Sequence, residues 1–479
     1  MGWAADEFVD VDLGDKRLDS RLVKLCDSLS EAPESPINQA CEDWHETKAA
    51  YRFFRNGNVD AGRIMDAHRA KTAARAAGHG IVLAIQDTSY LVYTHHPKTK
   101  GLGEISLKKG RNKDRIHSRG LVMHTCLAVT GKGTPLGLLD QKVFARELRP
   151  DHERRSMGGK YIQNIIPVEE KESHRWIEAL EATSAAMAGS TVVTVCDREC
   201  DFYDFFKAAD KNGAAVLVRA FQNRTVDRGS RYAEKDVGKL WGRVGAQPLA
   251  GTYAVEITAR EKTRHCKGRT ARTAEMEVRF CGFRLNPPRN NPKHKTEKLP
   301  DLQMYAIHAL EANPPDGEDP AEWMLLSNMP VTSLEDACER VRWYSLRWRI
   351  EMFFKVLKSG FRVEACRLGT ADRLICYLTL MGIVAWRLFM LTLLARTDPT
   401  LPCTQFLSEQ EWTVLSIKSQ GKGRPPREAP RIAEALVWIA KLGGYLARKN
   451  DGPPGTLVLW RGWKRLMDLT EGWCLANQQ

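Results

Sequence analysis

From about residue 80 onward, short apolar runs rich in Val, Ile and Leu are separated by turn residues, and each reads as a buried strand. Ile81 to Ile85 is the first and ends at Gln86-Asp87. Leu121 to Val129 and Pro135 to Phe144 follow at hairpin spacing, with Gly131, Lys132 and Gly133 supplying the turn, so the three runs predict an antiparallel meander. A helical period over Ser173 to Ala188 leads to Thr191 to Val195, a continuously apolar strand that ends at Cys196-Asp197. A helix over Phe202 to Lys211 and a strand over Ala214 to Val218 complete the series. Residues 221–332 mix strand-like pieces with basic stretches, Arg260 to Arg272 and Pro287 to Lys298, and read as a β-rich insertion. Ser333, with Asp336 three residues on, then caps what reads as one long helix stopped by Gly360. The first 75 residues or so are helical in period, as is the chain beyond Arg373, broken at Gly421 to Pro426 and at Asp451 to Gly455. The predicted organisation is therefore α/β, with a helical segment at 1–75, a sheet-based core at 76–372 that carries its insertion at about 221–332, and a helical segment at 373–479.

Composition narrows the function classes. A chain of 479 residues is too long for one hydrophobic core, and its 43% apolar content is that of a folded protein. A formal charge of +13 and a pI near 9.1 favour a polyanionic partner, with nucleic acid first among candidates, although a solvated basic surface gives the same numbers. The twelve cysteines are scattered singly and no targeting segment is recognisable, which predicts reduced thiols and a cytoplasmic setting. Cys196 and Cys200 have neither CxxC spacing nor a second ligand pair, so they read as small core residues. Leu374 to Ala395 is apolar and long enough to cross a bilayer, but Arg387 sits well inside it. A central Arg costs about 2.5 to 3.5 kcal/mol on insertion scales, so this stretch reads as a buried helix.

The candidate chemistry lies in three carboxylates. Asp87 and Asp197 each follow a buried apolar strand, at the carboxyl ends where open α/β sheets present their ligands, though either alone equally suits a turn or helix cap. On the long helix, Tyr344, Arg347, Glu351 and Lys358 fall on one face, while Trp343, Ile350, Phe353, Phe354 and Leu357 form an apolar side to hold it against the sheet. Asp87, Asp197 and Glu351 converging there would bind two divalent cations about 3.5 to 4 Å apart, which activate a nucleophile and stabilise the leaving oxygen of a phosphodiester. Mg²⁺ suits such hard oxygen ligands, with Mn²⁺ as a substitute. Arg347 and Lys358 would neutralise phosphates of the bound strand. Near the amino terminus, Tyr51-Arg52-Phe53-Phe54-Arg55 interleaves basic and aromatic groups, a texture that fits a phosphate backbone or an ordinary amphipathic helix.

The order strand, strand, strand, helix, strand, helix, strand is that of the ribonuclease H-like fold, with its last helix displaced by the insertion. More specifically, the chain resembles the bacterial cut-and-paste DDE transposases of the insertion-sequence-four group over nearly its whole length. Ala50-Tyr51-Arg52-Phe53-Phe54-Arg55-Asn56 is similar to the family's end-binding region, Ile85-Gln86-Asp87-Thr88-Ser89 to its first catalytic strand and Val195-Cys196-Asp197-Arg198-Glu199 to its second. Tyr344-Ser345-Leu346-Arg347-Trp348-Arg349-Ile350-Glu351, followed by Lys358, resembles the signature helix and is the most specific of these motifs.

The resemblance implies that Asp87, Asp197 and Glu351 bind the metals, that Tyr344, Arg347 and Lys358 contact the transposon-end strand, and that Tyr51 and Arg52 belong to the end-binding segment. It implies that Trp323 stacks on a base flipped out during hairpin formation; a core Trp beside a strand is the alternative. Arg219 lies where the family carries an Arg at a strand end that touches DNA. Val384-Ala385-Trp386-Arg387-Leu388 and Ile439-Ala440-Lys441-Leu442-Gly443-Gly444 resemble the region that pairs two subunits, and the setting implied is the bacterial nucleoid. The basic residues of the insertion do not match one by one. By themselves, the carboxylates and helix support only metal-dependent phosphoryl transfer on nucleic acid. A ribonuclease H-like nuclease without strand transfer, or a DNA-binding relative that dimerises without cutting, also fits them.

Overall fold

The structure, a computed structural model, describes residues 3–477 except 42, 110–114, 147–165, 188, 227–237, 260–267, 289–297, 422–425, 449–450 and 453. Most of the two basic stretches at 260–272 and 287–298 lies outside these residues. Five helices open the chain: α1 (Trp3–Glu7), α2 (Lys16–Glu31), α3 (Ile37–Ala40), α4 (Trp44–Arg55) and α5 (Ala61–Ala76). Asp15, Asp43 and Asp60 start α2, α4 and α5 by accepting an otherwise orphaned backbone N–H of the first turn. Four strands follow, β1 (Val82–Val92), β2 (Gly103–Lys109), β3 (Arg115–Thr130) and β4 (Pro135–Phe144), and then α6 (His174–Ala186), β5 (Val192–Cys196), α7 (Tyr203–Lys211) and β6 (Ala215–Arg219). The insertion contains α8 (Leu240–Gly245), β7 (Gly251–Ile257), β8 (Arg272–Leu285), β9 (Leu302–Glu311) and β10 (Glu322–Ser327). After it come α9 (Leu334–Ser345), α10 (Trp348–Lys355), a π turn at Val356–Gly360, α11 (Ala371–Thr397), α12 (Glu409–Gln420), α13 (Ile432–Leu442) and α14 (Thr456–Ala476).

These elements form two compact units that interleave along the chain. One comprises His79–Asp87 and Arg149–Ile350, the other Met1–Gly78, Thr88–Leu148 and Glu351–Gln479, so the divisions fall inside β1 and inside α10. In the first unit the start of β1 pairs parallel with β5, β5 pairs parallel with β6, and β10 lies antiparallel on β6. The β10-β9-β8-β7 antiparallel series extends this sheet. The expected β-rich insertion is thus a continuation of the sheet itself. Trp176, Leu180, Phe205, Phe206, Val216 and Met304 fill its core, together with Cys196 and Cys200, which are fully buried as expected. Asn328 locks the edge of β6 by accepting from Val216 N–H and donating to the Ala214 carbonyl.

In the second unit β2, β3 and β4 form an antiparallel set, and α5 and α11 pack on β4. The β3–β4 turn falls where Gly131 to Gly133 predicted it, closed by Thr130 N–H to Thr134 O at 2.9 Å with Gly133 at φ +98°. The pattern did not single out β2. α11 is long and apolar enough to cross a membrane, and 83% of its most apolar stretch is buried among the unit's own elements. Arg387 within it stacks 4.6 Å over the Trp3 ring, and burial lowers its pKa to about 10. α13 crosses α14 closely because glycines meet: a Cβ on Gly443 would collide with the Val458 carbonyl, and one on Gly462 with that of Ile439.

Candidate active site

Because β1, β5 and β6 run parallel, their chain direction carries all three toward the same edge of the sheet. The register pairing Val82 with Val192 and Ile85 with Val195 leads, two residues further along each strand, to Asp87 and Asp197. With strands about 4.8 Å apart, the two carboxylates leave neighbouring strands at one level. The sequence expectation needs one correction, because β1 does not end at Asp87 but runs on to Val92. What ends is its burial: Val82–Gln86 are buried and Asp87–Tyr90 half-buried, so the apolar run marked the limit of the buried stretch and not of the strand.

Each aspartate is held differently. Asp197 caps the short turn Arg198–Cys200, its Oδ1 accepting from Glu199 N–H at 2.8 Å. Asp87 Oδ2 accepts from Arg347 Nη1 at 2.9 Å, both side chains being largely shielded from solvent. The buried Cys196 thiol senses both: burial pushes its pKa up, and Asp197 and Asp87 add to that while Arg347 opposes it. Tyr344 is also buried, which raises its hydroxyl pKa; the nearby Arg347 and Arg219 act against the rise and Asp197 with it. Arg219 has its own pKa lowered, chiefly by burial, with the neighbouring Arg198 and Arg347 charges adding to the effect. The Trp323 ring, half-buried, meets Tyr344 edge-on with centroids 5.4 Å apart. One unit thus gathers Asp87, Asp197, Arg219, Trp323, Tyr344 and Arg347 from four strands and a helix end. Arg198, quoted in a motif but given no role there, joins them; its adjacency to Asp197 was the available signal.

The other expected residues lie in the second unit. Glu351 is half-buried near the start of α10, and Lys358 Nζ donates to the Tyr90 carbonyl at 2.9 Å from within the π turn. The long helix predicted from Ser333 to Gly360 is therefore not continuous. Its capping box between Ser333 and Asp336 is present, but regular α-helix stops at Ser345. Leu346, Arg347, Arg349 and Ile350 each donate to the residue three before, as in a 3₁₀ turn, and Ser345 Oγ bonds back to the Arg342 carbonyl. A stripe drawn for 3.6 residues per turn does not hold across such a joint. On α4 the alternation is as expected: Phe53 and Phe54 are buried, with Phe54 edge-on to Tyr377, while Tyr51 and Arg52 are exposed.

Hard carboxylate oxygens at paired strand positions are suitable donors for a divalent cation, and Asp87 already receives a positive group from Arg347. Among the described residues, no cluster of three or more His, Cys, Asp or Glu side chains forms a ready-made metal nest.

Three protein-family models match the chain. Residues 1–59 match a transposase DNA-binding family, residues 158–387 a transposase DDE domain, and residues 383–478 the transposase Tn5 dimerisation domain. The DDE match contains Asp197, Arg219, Trp323, Tyr344, Arg347, Glu351 and Lys358 and begins after Asp87.

Proposed function

Since the chain belongs to the DDE transposases with a Tn5-type dimerisation domain, we propose that it cuts the ends of a mobile element and joins them to target DNA through one set of carboxylates, Asp87, Asp197 and Glu351. The observation that carries this is the placement of Asp87 and Asp197 at one level on adjacent parallel strands, with the Arg347 guanidinium on Asp87, in a chain matched by a DDE domain. DDE transposases generally use divalent metal ions. Asp87, Asp197 and Glu351 are the residues that would hold two Mg²⁺ ions, or Mn²⁺ in their place, and bound metal would supply an activated water and charge stabilisation for the departing oxygen. The strand order β1, β5, β6 with intervening helices, and the β3–β4 hairpin, support a ribonuclease H-like core.

Around that centre the chain's own residues hold the DNA. Arg347 is a forked donor able to span two phosphate oxygens, and Lys358 is a point charge. Tyr344, buried near Arg219 and edge-on to Trp323, presents its hydroxyl, and Trp323 offers an aromatic face on which an extruded base stacks. Tyr51 and Arg52 face solvent on α4, where they meet the transposon end. Water attacks the phosphorus at the element boundary and releases a 3′-hydroxyl. That hydroxyl attacks the opposite strand to close a hairpin on the element end, a second water reopens it, and the same hydroxyl attacks target DNA. Each step exchanges one P–O bond for another, so no oxidant or nucleotide cofactor is consumed. Two copies joined through residues 383–478 bring two ends together, on DNA in the bacterial nucleoid.

Purified protein mixed with Mg²⁺ and a linear plasmid bearing the source element's ends tests this. Denaturing gels should show flank release, hairpinned ends and joined products. Replacing Asp87, Asp197 or Glu351 with Ala should reduce cleavage more than about 1,000-fold while end binding in gel shifts persists. Hydrolytic cuts without joining would instead identify a nuclease, and retained cleavage in any of the three variants would remove that residue from the centre.

A further inference from the structure

Strand register sets the level of Asp87 and Asp197, but groups that share a metal pair must also be held to within about 0.5 Å by what packs around them. The start of α6 reaches the neighbours of both. Arg175, 7% exposed, donates from Nη2 to Glu199 Oε2 at 2.9 Å, and from Nη1 to the Glu172 carbonyl at 2.7 Å and to Glu172 Oε1 at 3.3 Å. Glu199 is the residue whose backbone N–H bonds Asp197 Oδ1. Gln86, fully buried beside Asp87, sets its amide against the same helix. In the orientation its neighbours assign, the nitrogen donates to the Trp176 carbonyl and the oxygen accepts from Leu180 N–H, both at 3.2 Å. The first two turns of one helix thus reach within two residues of each carboxylate.

Stability alone does not account for the ionic contact. Trp176, Ile177 and Leu180 already anchor α6 in the core of the unit. Burying a guanidinium is costly, and its partner Glu199 has a side chain 53% exposed, where an ion pair contributes little. What the pair does fix is the residue that bonds Asp197. The far end of the same turn is tied separately: Asp201, only 3% exposed, accepts the backbone N–H of Phe221 at 2.8 Å and of Gln222 at 3.1 Å. Loss of the Arg175 contact therefore leaves the turn attached at one end and frees the end that carries the carboxylate.

We propose that Gln86 and Arg175 are positioning residues: through α6 they set the separation of the Asp87 and Asp197 carboxylates, and with it the affinity of the centre for divalent cations. The proposal rests on reading those carboxylates as the metal-holding centre of a transposase. Gln86 and Arg175 act only through them, and removing partners of this kind typically weakens metal binding about 10- to 100-fold.

The test uses the full-length protein bound to duplexes that stop at the source element's terminal nucleotide. Mn²⁺ alone is titrated in, with free Mn²⁺ followed by electron paramagnetic resonance, and nicking of uncut ends is measured across Mg²⁺ concentrations. Arg175→Met should weaken Mn²⁺ binding about tenfold and raise the Mg²⁺ needed for half-maximal nicking by the same factor, with the rate at saturating Mg²⁺ near wild type. Gln86→Leu should do the same, and Arg175→Lys, which returns a donor to Glu199, should recover most of the affinity. Glu199→Gln, a change at a half-exposed side chain, repeats the test without removing a buried group. Wild-type Mn²⁺ affinity per folded molecule in both Arg175→Met and Glu199→Gln overturns the proposal, whether or not the folded fraction falls. The wild type separates the two readings. If it binds the ends but takes up no Mn²⁺ and cuts with no divalent ion, the metal-centre reading falls and this proposal with it. Normal uptake and cutting by wild type beside indifferent variants removes the positioning role alone.

Discussion

Each unit contains a cluster of carboxylates, guanidinium groups and aromatic rings, and the two clusters are finished differently. In the helical unit Glu7 receives His68 Nδ1–H at 2.5 Å and Arg75 through both terminal nitrogens, at 2.7 and 3.1 Å. His68 Nε2 accepts the Leu138 N–H at 2.9 Å, which assigns the ring proton to Nδ1, and Arg75 Nε reaches the Leu136 carbonyl at 2.6 Å. Arg75 also stacks 4.2 Å from the Trp386 ring centre. Burial alone would push the Glu7 carboxyl up, but His68 and Arg75 outweigh it and hold it at about 2. This network bonds α1 to α5 and β4 and leaves little for a ligand to add. In the sheet unit Arg347 pairs with Asp87, and burial, with the nearby Arg198 and Arg347 charges adding to it, lowers the Arg219 pKa. Neighbouring guanidinium charges repel one another, and under the proposed function DNA phosphates would relieve that repulsion. On the proposed function, the first cluster holds the fold and the second meets substrate.

The contrast is sharpest for Glu7→Gln. Removing one partner of a buried charged network should cost roughly 3 kcal/mol at neutral pH, read by urea denaturation, while nicking per folded molecule stays at wild type. The pH dependence has a definite sign. The folded Glu7 pKa lies below its ordinary 4.5, so its contribution is complete above about pH 4.5 and is lost as pH falls toward about 2. Burial likewise lowers the His68 pKa from its ordinary value, so the neutral ring's contribution is lost in the same direction as pH falls through the range of a free histidine. Glu7→Gln should therefore flatten acid unfolding, and a wild-type slope in that variant would break the assignment. Next in size, Arg347→Lys keeps the charge but loses the fork. Single-turnover nicking should fall about 100-fold with the melting temperature near wild type, and a large loss of stability instead would move Arg347 into the structural class. The smallest expected change is Tyr344→Phe, which removes the buried hydroxyl near Arg219; about tenfold slower nicking with unaltered duplex binding is the outcome to look for.

Local pattern recovered much of this architecture because it depends on local physics. The apolar runs before Asp87 and Asp197 became β1 and β5, Ser333 and Asp336 became a capping box, and the membrane-length stretch became α11, packed against β4. The misreadings have equally local causes. Half-buried Asp87 to Tyr90 carry no apolar run to announce that β1 continues. The α9–α10 joint is made of tightened turns that leave hydrophobic spacing nearly unchanged, so a helix-period count passes over it. The division of β1 and α10 between two units has no compositional boundary at Asp87 or Glu351.

By itself, the sequence determined the residue types of the motifs and the alternation of strands and helices, since both are written within a few turns of chain. Tertiary structure decided that Asp87 and Asp197 stand side by side, that Arg347 reaches Asp87 across 260 positions of sequence, and that Asp201 holds the backbone of Phe221 just after β6. Those pairings depend on strand register and on hydrogen bonds between distant segments, which are selected only when the whole sheet closes its ladders and buries its apolar faces.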